Sequence, residues 1–342
     1  MKPPRRRALV LHDALSAESR PDEADVLVQL EQVSSALTSA GWQIDVQPAD
    51  LDLDAIRRSV ETLRPDCVVN LVESLCGDGK LISIVPALLG HLRVPFTGSS
   101  SDAIYLSSQK EVAKAWMRNH GIATARSLRS GEARANDGIR WIVKSLWEHA
   151  SLGIDDSSVV VGAQAALESI DHCRSVWGGA WFAEEYIEGR EFNISVIEHD
   201  GQPLVLPLAE MTFVDYPERK PKIVSYAAKW DADSREYHAT RREFPNLEAS
   251  EQFALTSAAQ QCWRLFGING YARVDIRLHE DGTPYVLEVN ANPCLSKDGG
   301  FVAAAEEGGM DYNTLIKRII DAALRPALRS YRRTGQTVST KR

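Results

Sequence analysis

Residues 271–292 give the clearest indication of the fold, and their sequence is YARVDIRLHEDGTPYVLEVNAN. Apolar and charged side chains alternate from residue 273 to residue 278, which is the period of a β-strand. The dipeptide Asp281-Gly282 follows, and it is typical of a hairpin turn. The alternation resumes over residues 286–290. The stretch therefore predicts two antiparallel strands joined by a tight turn.

The second predicted strand places Glu288 and Asn290, two residues apart, on one face. If the register of the hairpin brings Asp275 opposite them, two carboxylates and an amide converge. Such oxygen ligands suit a hard cation such as Mg²⁺, which keeps several waters and bridges to substrate phosphates. A solvated hairpin face is the alternative. We favour the metal site, because apolar runs would bury both strands and leave the carboxylates facing a cleft.

The composition argues against several classes of protein. The 342 residues are enough for two or three domains, and 44% hydrophobic with 25% charged residues is ordinary for a globular protein. The net charge of −8 argues against nucleic acid as a main partner. The five scattered cysteines include no C-x-x-C pair, and no apolar run reaches transmembrane length. We therefore expect reduced thiols, a cytoplasmic location and no membrane partner.

Strand and helix patterns alternate over the first hundred residues, which predicts a parallel sheet covered on both faces. Ligands of such sheets lie beyond the carboxyl ends of the strands, which places residues 70–73 and the loop 76–80 near a cleft. Contact with a substrate amine and a solvated loop acid are equally good interpretations of Glu73. The predicted strands are 7–12, 42–46 and 67–72, and the predicted helices are 22–40, 53–63 and 81–89, the last stopped by Gly90.

Two lysines and an acidic segment stand out in the middle third. Lys110 lies in a single predicted helix over residues 102–119, where a solvated charge is the usual explanation. Lys144 ends the short apolar strand 141–144, from which an ammonium can project into a cleft toward phosphate. In residues 181–192 an apolar strand runs into acids and a glycine turn. A nucleotide-binding edge and a turn with solvated acids both explain that segment.

The last third contains a further predicted hairpin, which turns at Asp200-Gly201 between the strands 192–199 and 203–210. Residues 223–230 predict a strand that carries Lys229, and the charged stretch 231–247 predicts part of an irregular flap. The segment 326–342 is rich in basic residues and lacks apolar periodicity, which predicts a disordered tail. The other predicted elements are the strand 159–162 and the helices 163–177, 248–266, 301–307 and 312–324.

The motif R-x-D at residues 273–275 and the motif L-E-x-N-x-x-P at residues 287–293 resemble the metal-binding end of ATP-grasp carboxylate–amine ligases. The D-alanine–D-alanine ligases are the members that it resembles most. The resemblance covers roughly residues 7–325. It implies an α/β chain with the ATP-grasp fold, in which an N-terminal parallel α/β domain precedes two α+β lobes that grip a nucleotide. The implied limits are 1–98 for the N-terminal domain, 99–186 for the central lobe and 187–325 for the C-terminal lobe with the metal site.

The resemblance also implies roles for individual residues, with ATP and Mg²⁺ or Mn²⁺ as cofactors. The implied metal ligands are Asp275, Glu288 and Asn290. The implied catalytic residues are Arg273, which would stabilise a tetrahedral oxyanion, and Lys229. The implied nucleotide-binding residues are Lys110, Lys144, Ser151, Glu184, Tyr186, Ile187, Glu191, Lys229 and Leu287.

Three departures from the D-alanine enzymes cluster on the acceptor side. Ala150 and Trp230 lack hydroxyls that link the phosphate loop and the lid to the acceptor site, and Gly299 replaces a serine that holds the acceptor carboxylate. The resemblance thus implies a ligase that joins a small-molecule acid to an amine through an acyl phosphate, with substrates other than two D-alanines. The alternatives are a D-alanine–D-alanine ligase, a phosphotransferase with a hydroxyl acceptor, and a catalytically silent ATP-binding regulator. Homodimers are common in the family.

Overall fold

A computed structural model of the chain describes residues 6–15, 20–128, 138–148 and 151–325. Three sheets organise this part of the molecule. Among the helices that the structure describes, none combines the length and apolar character needed to cross a bilayer. Ala150 and the predicted tail 326–342 lie outside the described residues, so the predictions made for them stay predictions.

The N-terminal sheet is parallel, as predicted, with the strand order β2-β1-β3. Its elements are β1 (Arg7–Asp13), α1 (Pro21–Ser39), β2 (Gln43–Ala49), α2 (Leu53–Leu63), β3 (Cys67–Asn70) and α3 (Ile84–Leu92). The predicted stop of α3 at Gly90 is wrong, because the helix ends two residues later. Arg93, with a φ of 56°, makes the left-handed C-cap, and Pro95 disfavours the helical conformation at Val94, the residue before it.

The central sheet is antiparallel, with the order β5-β4-β6. The elements from the end of the first sheet onward are α4 (Ser101–Ser108), α5 (Lys110–Asn119), β4 (Arg140–Ser145), β5 (Val159–Val161), α6 (Ala163–Trp177) and β6 (Trp181–Glu185). The single helix predicted over residues 102–119 is wrong, because the chain is extended at Gln109. The Gln109 side chain accepts the Val112 N–H as an N-cap. The break makes Lys110 the first residue of α5.

The C-terminal sheet is antiparallel, with the order β10-β9-β7-β11-β12 and with β8 paired to β7. Its strands are β7 (Arg190–His199), β8 (Gln202–Val205), β9 (Ala209–Phe213), β10 (Thr240–Glu243), β11 (Tyr271–Leu278) and β12 (Pro284–Asn290). The helices in this region are α7 (Tyr226–Trp230), α8 (Arg235–Ala239), α9 (Ala249–Phe266), α10 (Gly300–Glu307) and α11 (Tyr312–Leu324).

Three predictions for this region are wrong. The strand expected over residues 223–230 is largely the helix α7, because the Ser225 hydroxyl accepts the Ala228 N–H and caps a short alanine-containing turn. The flap expected to be irregular over residues 231–247 contains α8 and β10. The strand expected over 203–210 is divided, because β8 and β9 pair with different parts of β7.

The alternation along β11 separates an apolar face from a polar face. Val274 and Ile276 are fully buried and belong to the core formed with α9. Arg273, Asp275 and Arg277 project from the opposite face. The three sheets fall within the predicted limits 1–98, 99–186 and 187–325, but those domain limits stay a prediction.

Candidate active site

The hairpin of β11 and β12 places the two predicted metal-binding carboxylates side by side. Asp275 pairs directly with Glu288, as the sequence predicts, and Arg273 pairs with Asn290. The Asn290 side-chain oxygen accepts the Asn292 N–H at 3.0 Å. Within the described ranges, no three His, Cys, Asp or Glu side chains gather as a metal-binding group. Two carboxylates and one amide are therefore the oxygen groups that this hairpin could offer to a metal ion.

A β-bulge that sequence patterning missed keeps Glu288 on the polar face. The register shifts after Asp275, so that Ile276 pairs with Val286 and Leu287 is an extra residue. As a result Val286 and Val289 are both fully buried although they are three residues apart. Strict alternation from a buried Val286 would turn Glu288 into the core.

Arg273 is held by Asp275. Its Nε and Nη2 donate to the two oxygens of Asp275, each at 2.8 Å, and Nη2 lies 3.9 Å from Glu288. Burial disfavours its charge, yet the two carboxylates raise the pKa of Arg273 above its ordinary value. Burial raises the pKa of Asp275, and Arg273 opposes that shift. The pair is thus a charged, bidentate contact in a desolvated place.

A buried lysine that sequence reasoning missed joins two of the predicted nucleotide-binding residues. Glu184 is 1% exposed, and its oxygens lie 2.8 Å from Lys144 Nζ and 2.6 Å from Lys114 Nζ. Lys114 also donates to the Leu287 carbonyl at 3.1 Å and to the Thr124 hydroxyl at 3.0 Å. Burial disfavours the charge of Glu184, but the two lysines lower its pKa below the ordinary value. The sequence did contain a signal for Lys114, because this charged residue lies on the buried face of α5.

The remaining cations surround Glu288. Lys110 Nζ lies 3.9 Å from Glu288 and donates to the Glu148 carbonyl at 2.6 Å. Burial lowers the pKa of both Lys110 and Lys229, and in each case the charge of Glu288 opposes the shift. Glu288 also favours the charged form of Lys144. Three ammonium groups and the Arg273 guanidinium therefore all interact electrostatically with one carboxylate, an arrangement able to hold a polyanion with a divalent ion.

The predicted ribose acid, Glu191, is the second residue of β7 and is 8% exposed. Its Oε2 accepts two hydrogen bonds from Arg277, at 2.8 and 3.1 Å. Tyr186 and Ile223 are buried in a small apolar cluster with Ile142 and Ile154. This cluster joins the central sheet to the segment before α7. An apolar wall of this kind is what an adenine slot would require. The Ile187 carbonyl accepts a hydrogen bond from Arg277 at 3.4 Å.

Two hydrogen bonds link this site to the N-terminal part of the chain, and a third links residue 151 to the segment before α7. The Tyr226 hydroxyl on α7 donates to Asp22 of α1 at 2.8 Å. The Gly79 N–H donates to the Glu148 carboxylate at 3.2 Å. The Ser151 hydroxyl donates to the Val224 carbonyl at 2.8 Å. The hydroxyls of Tyr226 and Ser151 thus make two of these links in a chain that has tryptophan at position 230.

Acidic side chains of the N-terminal part of the chain lie near Arg273. Cys294 and Ser296 both donate to Asp25 at 3.1 Å. The Glu73 N–H and the Ser74 hydroxyl donate to Asp13, at 2.8 and 2.6 Å. The pKa of Glu73 is raised to about 8, first by burial and then by the charges of Asp13 and Asp25.

Gly299 is closed to any larger residue by its own loop. A Cβ placed on Gly299 would approach the Ser296 carbonyl oxygen to 2.8 Å, closer than real Cβ contacts. The local backbone therefore leaves no room for a serine side chain at this position.

The shifted pKa of Glu73 predicts a pH-dependent stability. Between about pH 4.5 and 8 the folded protein keeps a proton that the unfolded chain releases, so the free energy of unfolding falls as the pH rises. Glu73→Gln removes this dependence. We expect the variant to gain stability relative to the native chain from pH 5 to pH 8 in urea unfolding. A stability difference that is constant across this range would contradict the assignment.

The chain resembles known proteins both in sequence and in structure. Residues 117–321, more than half of the chain, match the family model described as "D-ala D-ala ligase C-terminus". The chain is 30% identical over 261 residues to the uncharacterized protein y4sG of Sinorhizobium fredii, covering 75% of this chain and 74% of that protein. It is 29% identical over 302 residues to a D-alanine–D-alanine ligase of Xanthomonas axonopodis pv. citri, covering 85% and 88%.

The solved structures agree on the fold. The D-alanine–D-alanine ligase of Bacillus anthracis in complex with ATP superposes with a TM-score of 0.70 at 22% identity, covering 94% of this chain and 98% of that one. The likeness confirms the predicted ATP-grasp fold.

Proposed function

The chain belongs to the D-alanine–D-alanine ligase family, and we propose that it is an ATP-dependent, ADP-forming ligase. It joins the carboxylate of an amino acid or small peptide to an amine. A carboxylate is a poor electrophile, so ATP phosphorylates it to an acyl phosphate, and the amine then displaces phosphate. The neighbourhood of Glu288 carries the proposal, because Asp275 pairs with it, Lys110 and Arg273 each lie 3.9 Å from it, and its charge favours the charged forms of Lys144 and Lys229.

The residues at the hairpin fit a divalent ion. Asp275, Glu288 and Asn290 offer hard oxygen donors, as Mg²⁺ or Mn²⁺ requires. When bound, the metal supplies charge neutralisation at the phosphate oxygens. We assign the phosphate contacts of ATP to Lys110, Lys144 and Lys229, and further contacts with the same nucleotide to Ser151 and Leu287.

Phosphoryl transfer depends on positioning and on charge neutralisation more than on covalent help. The three ammonium groups neutralise the negative charge of the phosphoryl group during its transfer. In the second step the attack of the amine creates a tetrahedral oxyanion. We assign its stabilisation to Arg273, whose fork is already oriented by Asp275. No serine or cysteine nucleophile takes part.

The hinge residues are assigned to the nucleoside. We propose that Glu191 accepts the ribose hydroxyls and that the backbone at Tyr186 and Ile187 meets the adenine edge. Glu184 contributes through Lys144, because its carboxylate is already bonded to two lysines.

The substrates are proposed to differ from two D-alanines, because Gly299 excludes the serine side chain and Trp230 lacks a hydroxyl. A D-alanine–D-alanine ligase is the second candidate, and the name of the Xanthomonas relative favours it. A cytoplasmic location and a homodimer are proposals that rest on the sequence and the family alone.

A screen of amino-acid pairs tests the proposal. ATP-dependent release of inorganic phosphate is measured for each pair, and the product mass is determined for every positive pair. A ligase gives ADP, phosphate and an amide. A phosphotransferase gives ADP and a phosphorylated substrate without free phosphate, and a silent regulator releases no ADP with any pair. Product from D-alanine alone would favour the second candidate.

A further inference from the structure

Arg277 is a buried cation with no assigned role. It lies on β11 two residues after Asp275, on the same polar face, and is 3% exposed. The register pairs it with Glu191 of β7. Its Nε and Nη2 both donate to Glu191 Oε2. Removing either partner of such a buried pair leaves the other charge uncompensated.

The same guanidinium also binds backbone carbonyls of two other segments. Nη1 donates to Ile187 at 3.4 Å and to Gly189 at 3.3 Å, both in the hinge between β6 and β7. Nη2 donates to the Lys222 carbonyl, four residues before α7. A guanidinium has five N–H donors in a fixed plane, whereas an ammonium lacks this fork. Arginine is thus the side chain able to make this set of contacts.

We propose that Arg277 is a positioning residue for nucleotide recognition. It fixes the Glu191 carboxylate for the ribose hydroxyls, and it fastens the segment that leads to Lys229 onto the hinge. Both hydrogen bonds to Glu191 end on Oε2, which assigns the ribose to Oε1. The inference rests on the proposed function, since it needs ATP as the ligand of this cleft.

Equilibrium binding tests the inference without turnover. Titration calorimetry compares ATP with 2′-deoxy-ATP and 3′-deoxy-ATP, each with Mg²⁺, for the native chain, Arg277→Met, Arg277→Lys and Glu191→Gln. The native chain is expected to prefer ATP over a deoxy analogue by about tenfold, the value of a hydrogen bond to a charged group. Arg277→Met and Glu191→Gln are expected to reduce the preference to less than about twofold. Arg277→Lys, which keeps the charge and loses the fork, is expected to lose most of it.

Arg190→Met is the matched control. Arg190 is also on β7 and pairs with Glu210 and Glu251, but it projects from the opposite face. This variant is expected to keep the native preference for ATP. A merely structural role for Arg277 would weaken all three nucleotides equally and leave the preference unchanged.

The outcomes separate this inference from the proposed function. A native chain that binds none of the nucleotides would overturn the proposed function. A native chain that prefers ATP, with Arg277→Met keeping that preference, would overturn the inference alone. If Arg277→Met does not fold, as judged by circular dichroism, Arg277→Lys is read by the same criterion. A preference that survives Glu191→Gln would also overturn the inference.

Discussion

Arg273→Ala is expected to lower kcat by about 10²- to 10³-fold with the substrate pair found in the screen. This is the usual loss when an oxyanion donor is removed from an enzyme. The side chain is placed for that role, because Asp275 holds both ends of its fork at 2.8 Å. The measurement is steady-state turnover at saturating ATP and substrates. Full turnover of the variant would remove Arg273 from the mechanism.

A second effect of Arg273→Ala must be separated from the first. The change leaves the buried Asp275 without its bidentate partner, which favours the neutral carboxyl and weakens any metal held there. Mg²⁺ dependence of ATP binding, measured by calorimetry, reports this second effect. If Arg273 acts on the oxyanion, kcat falls by a larger factor than Mg²⁺-dependent ATP binding weakens. Arg273→Lys keeps the charge and is expected to recover part of the rate.

Glu288→Gln is expected to lower turnover by at least about 10²-fold, because the amide cannot supply the charge of a metal ligand. The variant also removes the common neighbour of Lys110, Lys144, Lys229 and Arg273. The freed cations should then hold metal-free ATP more tightly. We therefore expect the ratio of ATP affinities with and without Mg²⁺ to fall by about tenfold or more.

Glu210→Gln is the matched control for this experiment. Glu210 lies in the same sheet and pairs with Arg190 on the face away from the cleft. It is expected to keep the native ratio of affinities. A native Mg²⁺ ratio and native turnover in Glu288→Gln would show that the hairpin does not seat the ion.

Sequence patterning predicted the helices α2, α6 and α11 at the residues where the structure has them. In each case an amphipathic stretch has clear ends. It failed at α7, because an alternating apolar pattern over so few residues does not distinguish a strand from a capped helical turn. It also failed at Gln109, because a glutamine side chain rarely serves as an N-cap.

The site was predictable where chemistry follows from adjacent residues. Asp275 and Glu288 could be placed opposite each other from a hairpin pattern, and the register agrees. Lys114 and Arg277 were missed, because their roles come from partners 70 and 86 residues away in the chain. The bulge at Leu287 was missed because one extra residue leaves no mark in composition.

The crowding at Gly299 also limits the order in which mutations can accumulate. A serine introduced there first would strike the Ser296 carbonyl, so this single step is expected to damage the protein before it can alter specificity. The backbone of residues 294–298 must change beforehand. An evolutionary path from this chain to a relative with serine at that position would thus pass through variants with a changed loop that still carry glycine. An engineer who wishes to retrace the crossing should exchange the loop first and leave residue 299 until last.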